Sequence, residues 1–350
     1  MISITNILRE VTMENSNVLK KQSLSWFKRL LGKQAAESVP DPFRVLVHKE
    51  ISDHIKSWRF IILIALISLT CIGSMYTALG NISDALKNNN ANDIFVFLKL
   101  YTVSDGTLPS FFVFVGFLGP LLGIGMGFDA VNSEMNKGTV NRILSQPIPR
   151  DYFINAKFTA SLVVISVLFF SLSFLVMGIG LIAIGIPPTP EEFIRILLFT
   201  IAAIIYVSFW LNLSILFSIK FIQPATSALT GISVWLFFSI FYNMLVNVIF
   251  SMLVPAGRNL SLMGERMKLN ILQLAPNQLF NEITNVLLTP TVRSVGPLTM
   301  EQVKGAIPGP IPVLQSVMLI WPQIIGIIAL TVICFVVSYL LFVKREIRST

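Results

Sequence analysis

The sequence predicts an all-α integral membrane protein of six transmembrane helices. An interfacial amphipathic helix precedes the first span, and a short helix lies in the loop after the second. Three observations carry this prediction. Only 13% of the 350 residues are charged and 54% are hydrophobic, whereas a soluble domain carries roughly 25% charge. Six apolar runs reach the ~18 residues that mark a membrane span. The basic residues crowd the segments that would share one side of the membrane.

Residues 1–40 form a polar tail. In it Leu24, Trp26, Phe27, Leu30 and Leu31 alternate with Lys20, Lys21, Lys28, Arg29 and Lys33. The tail reads equally as a basic helix on an anionic membrane surface or as a solvated segment. From 41 to 350 the chain reads as one transmembrane domain. Asp41 is placed to cap a helix whose first residue is Pro42. Phe43, Val47, Ile51, Ile55 and Trp58 recur on one face of it, with Arg44, His48, Lys49, Asp53 and Lys56 elsewhere. That pattern predicts an interfacial helix over 42–58.

The spans are predicted at Phe60–Leu79, Phe111–Phe128, Phe158–Ile186, Phe193–Ile219, Ala225–Val254 and Ile320–Val343. The fifth reads either as one long span or as a span with a re-entrant turn. The loops at 80–110 and 255–319 each hold one short amphipathic helix. The first carries Ile94, Phe95, Leu98 and Tyr101 on one face. The second runs from Pro276 through Leu279, Phe280, Ile283, Val286 and Leu287, and ends before Pro290. Both are expected to cover span ends or to gate a path.

Orientation follows from the flanks. Of the 26 Lys and Arg, 18 fall in the tail through Arg59, the loop 129–157, Lys220 and the C-terminal segment; 8 fall in the opposite loops. Acids divide 10 to 8, so the whole net charge of +8 lies on one side. The positive-inside rule makes that side, with both termini, cytoplasmic. The charge needs no nucleic acid to explain it.

Several chemistries lack their motifs. No G-x-x-x-x-G-K-[ST] phosphate loop and no G-x-S-x-G occur, so the chain is not expected to be an enzyme or to bind ATP itself. His48 and His54 are six apart, which does not place them on one helical face as a zinc pair. Cys71 and Cys334 fall inside apolar runs and read as small buried residues. The spans carry almost no charge, with only Arg195 inside their limits, and ion-coupled transport usually needs buried ionisable groups.

Two polar or small-residue patterns stand out within the spans. Asn243 and Asn247 lie four apart on one face of the fifth, to touch substrate or to bond between helices. Gly119, Gly123 and Gly127 form a doubled small-residue motif in the second, around Pro120, which admits a close helix neighbour. That neighbour can belong to the same chain or to another subunit.

The loop after the second span reads Asp129-Ala130-Val131-Asn132-Ser133-Glu134-Met135-Asn136-Lys137-Gly138-Thr139-Val140-Asn141-Arg142-Ile143-Leu144-Ser145-Gln146-Pro147, then Arg150. Val140, Ile143 and Leu144 share one face of a short helix stopped by Pro147, and Asp151 is placed to cap the next helix. This stretch resembles the signature of the type-2 family of ABC transporter permeases, with small departures at Asn132 and Ile143. Lys49-Glu50 followed by Arg59 at the membrane edge, and Pro276 with its helix before Pro290, are weaker matches. Together they cover residues 43 to about 345. Within the family the chain is similar to permeases of gliding-motility and nitrous-oxide-reductase maturation systems.

The resemblance implies a half-transporter in a bacterial or archaeal cell membrane. Two copies, as a homodimer or a heterodimer, would join two cytoplasmic ATPase subunits that bind ATP and Mg. Asp129, Glu134, Lys137, Gly138, Thr139, Arg142, Pro147 and Arg150 would form the coupling element, and Lys49, Glu50 and Arg59 the interfacial-helix match. The path would run between the permeases, lined partly by the second and fifth spans. Export of an amphiphile, lipid-like molecule, peptide or drug is the leading expectation. A mechanical or sensory output to an extracytoplasmic partner, or a channel or secondary transporter, are the alternatives.

Overall fold

The computed structural model describes residues 41–87, 95–104, 106, 108–140, 149–253, 262–292 and 309–344. These residues build α-helices and no strands. Met1–Val45 and Leu46–Thr350 form two units. Of the first only Asp41–Val45 is described, and the tail 1–40 lies outside the described residues.

The helices are α1 (Pro42–Lys56), α2 (Trp58–Lys87), α3 (Val96–Thr102), α4 (Phe111–Gly127), α5 (Asn132–Asn136), α6 (Arg150–Ile184), α7 (Pro190–Lys220), α8 (Pro224–Leu236), α9 (Tyr242–Leu253), α10 (Leu262–Leu272), α11 (Pro276–Leu288), α12 (Val313–Leu319) and α13 (Trp321–Lys344). A π-helical turn at Phe237–Phe241 joins α8 to α9 as one continuous span. Six helices are long and apolar enough to cross a membrane, as the hydropathy predicts. The fifth is therefore one long helix with a π turn, the local adjustment that inserts a residue without breaking a helix.

Helix starts follow local chemistry. Asp41 Oδ1 accepts a hydrogen bond from Phe43 N at 3.2 Å, and Pro42 opens α1. Thr189 and Glu192 close a reciprocal capping box ahead of Pro190 on α7. Asp151 differs from expectation. α6 begins one residue earlier, at Arg150, so Asp151 sits in the first turn, where its charge still favours the helix dipole.

The core forms around α7, which packs on the second, third, fifth and sixth spans. Its Tyr206, Val207, Trp210 and Leu211 have no exposed surface. The glycine face of α4 meets it directly. A Cβ at Gly123 would lie 2.7 Å from Val207 O and 2.9 Å from Leu211 N, and one at Gly127 would lie 2.8 Å from Leu211 O. Gly119 would likewise meet Val207 Cγ2 at 2.9 Å. The doubled motif thus serves helix packing within the chain. Ser214 Oγ donates to Ile124 O across the same seam at 3.0 Å.

α11 departs from the expected surface cover. Phe280 stacks on Tyr206 with ring centroids 4.3 Å apart, and Tyr206 OH donates to Asn277 Oδ1 at 2.7 Å. At its other end Leu287 O accepts from Arg195 Nη1 at 3.0 Å. α11 therefore lies alongside residues 195–206 of α7, about 17 Å of that helix at ~1.5 Å per residue. Its apolar face inserts into the bundle because Leu279, Phe280, Ile283, Val286 and Leu287 are all buried there.

Candidate coupling site at the basic end of the bundle

α1, the start of α2, the end of α4, α5, the start of α6 and the end of α7 converge at one end of the bundle. Charged residues from segments far apart in sequence meet there. Arg59 Nη1 lies 2.6 Å from Asp129 Oδ2, and its guanidinium covers the Phe128 ring at 5.0 Å. Lys49 Nζ bonds Glu50 Oε1 at 3.0 Å and Glu134 Oε1 at 3.3 Å. Lys157 Nζ lies between two carboxylates, 3.0 Å from Glu50 Oε2 and 2.7 Å from Glu134 Oε1, and 4.9 Å above the Phe153 ring. Only 4% of the Lys157 side chain is exposed, against 45% of Lys49.

The electrostatics follow from this alternation of charge. Burial works to raise the Glu50 pKa, but Lys157 and Lys49 outweigh it and hold the carboxyl below its ordinary range. Burial likewise opposes the Lys49 charge, yet Glu50 and Glu134 raise its pKa overall. His54, within 2.9 Å of Ser161 Oγ, is driven the other way. Its burial is the largest influence and favours the neutral ring. A polar cavity of about 400 Å³ opens among Glu50, His54, Arg59, Asp129, Glu134 and Lys157.

Hydrogen bonds to the backbone hold the short helix α5. Ser218 Oγ, near the end of α7, accepts from Val131 N at 2.9 Å and Asn132 N at 3.2 Å. These are the otherwise orphaned donors of a helix start. Asn136 Nδ2 donates to Ile222 O at 3.0 Å. Gly138 takes φ +68°, a left-handed stop that glycine adopts without strain. Thr139 Oγ1 donates to Glu134 O at 3.0 Å.

The expected site residues fall into three groups. Asp129, Glu134, Thr139, Lys49, Glu50 and Arg59 come together at this junction, while Lys137 and Gly138 are exposed at its edge. Arg142 and Pro147 lie outside the described residues, with most of the helix expected around Ile143 and Leu144; Arg150 is the first residue of α6. Glu134, expected in the coupling element, is paired within the chain through Oε1. Its Oε2 is buried and accepts no hydrogen bond among the described residues. Lys157, His54 and Ser161 complete the junction and were not among the expected residues, because a lone Lys at a span start carries no pairing signal.

Elsewhere, Asn247 is exposed on the outer face of α9, and the half-buried Asn243 keeps a buried Oδ1 with no partner among the described residues. Arg195 is fully buried. It is held by Glu191 Oε1 at 2.9 Å, Ser316 Oγ at 3.2 Å and the carbonyls of Leu287 and Ile311.

The fold is thus a bundle of six membrane-length helices built around α7, with a short tethered helix after the second. The family described as "ABC-2 family transporter protein" matches residues 44–347, and the chain belongs to that family. It is accordingly a permease component of an ABC transporter, a kind that works with an ABC ATPase subunit. No curated protein matches the chain.

Proposed function

We propose that this permease exports its substrate, that two copies assemble with two ATPase subunits, and that α5 with the residues after it receives the ATPase motion. The basic end then faces the cytoplasm of a cell membrane, by the excess of Lys and Arg there. ATP and Mg are held by the ATPase.

One observation carries the proposal. The loop after the second span is tied at once to α1 by Lys49–Glu134, to α6 by Lys157–Glu134 and to α7 by Ser218. A push on α5 is thereby delivered to three elements. Asp129, Glu134 and Thr139 position the element, and Lys137 with Gly138 presents it. Arg142, Pro147 and Arg150 are assigned to the same coupling element by the family resemblance.

The substrate path lies between two copies. The exposed Asn247, and Asn243 Oδ1 with no partner among the described residues, support the fifth span as one wall, since a polar group left facing lipid is costly. A substrate with a large apolar part suits that wall, where Phe237, Phe241, Met244 and Val248 are exposed.

The test is copurification with the cognate ATPase and ATP-driven transport in vesicles. Lys137→Glu should leave the folded chain at normal levels but cut ATPase association and transport together. Unchanged association and transport in Lys137→Glu would remove the coupling assignment.

A further inference from the structure

Glu282 lies midway along α11, between Phe280 on Tyr206 and Leu287 on Arg195. It therefore sits beside the interior of the α7 span, and is only 7% exposed. Its carboxylate accepts three hydrogen bonds, all from glutamine amides. Gln273 Nε2 at 2.8 Å and Gln323 Nε2 at 3.1 Å reach Oε2, and Gln278 Nε2 at 3.0 Å reaches Oε1. It forms no ion pair among the described residues. Glu192, the other buried acid of this region, is different. It accepts from Phe97 N and Thr189 N at the starts of α3 and α7, where helix dipoles supply positive potential. Glu282 is mid-helix and has no such compensation.

Three neutral amides solvate a carboxylate without neutralising it, and a buried charge is normally paired. A second mismatch lies in the same cluster. Gln323 is 5% exposed, and its Oε1 is buried with no donor among the described residues. A small cation meets both demands. The N and O of one amide lie ~2.3 Å apart, so Gln323 Oε1 is at most about 5.4 Å from Glu282 Oε2, given the 3.1 Å bond between Nε2 and Oε2. With the Gln323 amide turned over, Oε1 takes the place of Nε2, about 3.1 Å from Oε2, and a cation roughly 2.4–2.9 Å from each oxygen then bridges the two.

A half-turn of any amide exchanges an N–H donor for a carbonyl oxygen. Gln273 and Gln278, both half-buried, can thus complete an oxygen shell and leave a way in from the surface. No three His, Cys, Asp or Glu side chains converge on a metal position among the described residues. One carboxylate with carboxamide oxygens suits a hard monovalent ion, not a soft transition metal.

We infer that Glu282, Gln273, Gln278 and Gln323 form a binding site for a small monovalent cation, an alkali ion or an ammonium ion. An occupied site joins the end of α10, the middle of α11 and the start of α13, so the cation braces α11 within the bundle. The site stands apart from the coupling junction and does not rely on it.

The test is thermal unfolding of the purified full-length chain in detergent. Sodium, potassium and ammonium chlorides are each titrated against N-methylglucamine chloride at constant ionic strength. At least one small cation should raise Tm saturably, as expected for a ligand of the folded state; N-methylglucamine, too bulky to enter, should not. Response to sodium or potassium assigns an alkali ion, and response to ammonium alone assigns an ammonium group. Glu282→Gln should abolish the response, and Gln323→Leu should raise its midpoint by at least about tenfold. Equal Tm in all four salts would overturn the inference. So would a full response in either variant, or a rise on acidification that is the same in every salt. If Glu282→Gln does not fold, the midpoint in Gln323→Leu decides alone.

Discussion

Lys157 carries the greatest electrostatic burden of the charged side chains at the basic end. Its ammonium is buried between Glu50 and Glu134, so its removal leaves two largely buried carboxylates with only the half-exposed Lys49 between them. Breaking a buried pair by deleting one partner typically costs about 3–5 kcal/mol. Lys157→Met should therefore destabilise the folded chain by roughly that amount, measured by unfolding in micelles. Lys49→Met removes a half-exposed charge and should cost about 1 kcal/mol or less. Equal losses would mean that the network does not centre on Lys157.

Acid should loosen the same junction. His54 has a pKa below its ordinary 6.5 because burial disfavours the charged ring. The unfolded chain therefore takes up the proton first, and stability is lost as pH falls below about 6.5. Glu50 has a depressed carboxylate pKa, so its contribution is complete above its ordinary 4.5 and is lost only as pH falls through its lower folded value. Amide exchange in α1, taken relative to the intrinsic rate at each pH, should rise as pH falls from about 7.5 to 5 in the wild type, and His54→Gln should flatten that rise. A rise unaltered in the variant would place the acid-sensitive group elsewhere.

Among the elements, the contact of α4 with α7 makes the sharpest contrast. A Cβ at Gly123 would collide with backbone atoms of α7, which cannot move aside as a side-chain tip can. Gly123→Ala should cost at least about 1–3 kcal/mol by overpacking. Gly178 in α6 has nothing within 4 Å of the same added atom, so Gly178→Ala should be neutral or stabilising by up to about 1 kcal/mol. Unfolding of the two variants side by side checks this.

The glycine spacing of α4 was legible in the sequence, and so were the six spans, because uncharged runs of that length have no other home. The partner of the glycine face was not, since spacing on one helix says nothing of which helix approaches. α11 was legible as an amphipathic helix, but its depth was not. Thirteen residues are too few to span a membrane, so Glu282 read as a loop acid rather than a charge inside the bundle. Lys157 closes the basic loop in the sequence but was not expected at the site, for a related reason. Its partner Glu50 lies 107 residues away in sequence, and only the packing of α1 against α6 brings them together.

For the whole molecule, membership of the ABC-2 family and the absence of a phosphate loop lead to one expectation. The purified chain alone should hydrolyse no ATP, and hydrolysis should appear only when an ATPase subunit is added. The described ends of the bundle also differ in what they offer a soluble partner. Lys137 is exposed beside α5 at the basic end, and Met263 is exposed on α10, which leads into α11.

A photo-crosslinking residue placed at each position in turn, in cells that also make the ATPase, tests the coupling role most directly. The coupling role predicts a covalent adduct with the ATPase from position 137 and none from position 263. An adduct from 263 with none from 137 would contradict both the orientation of the bundle and the assignment of the junction.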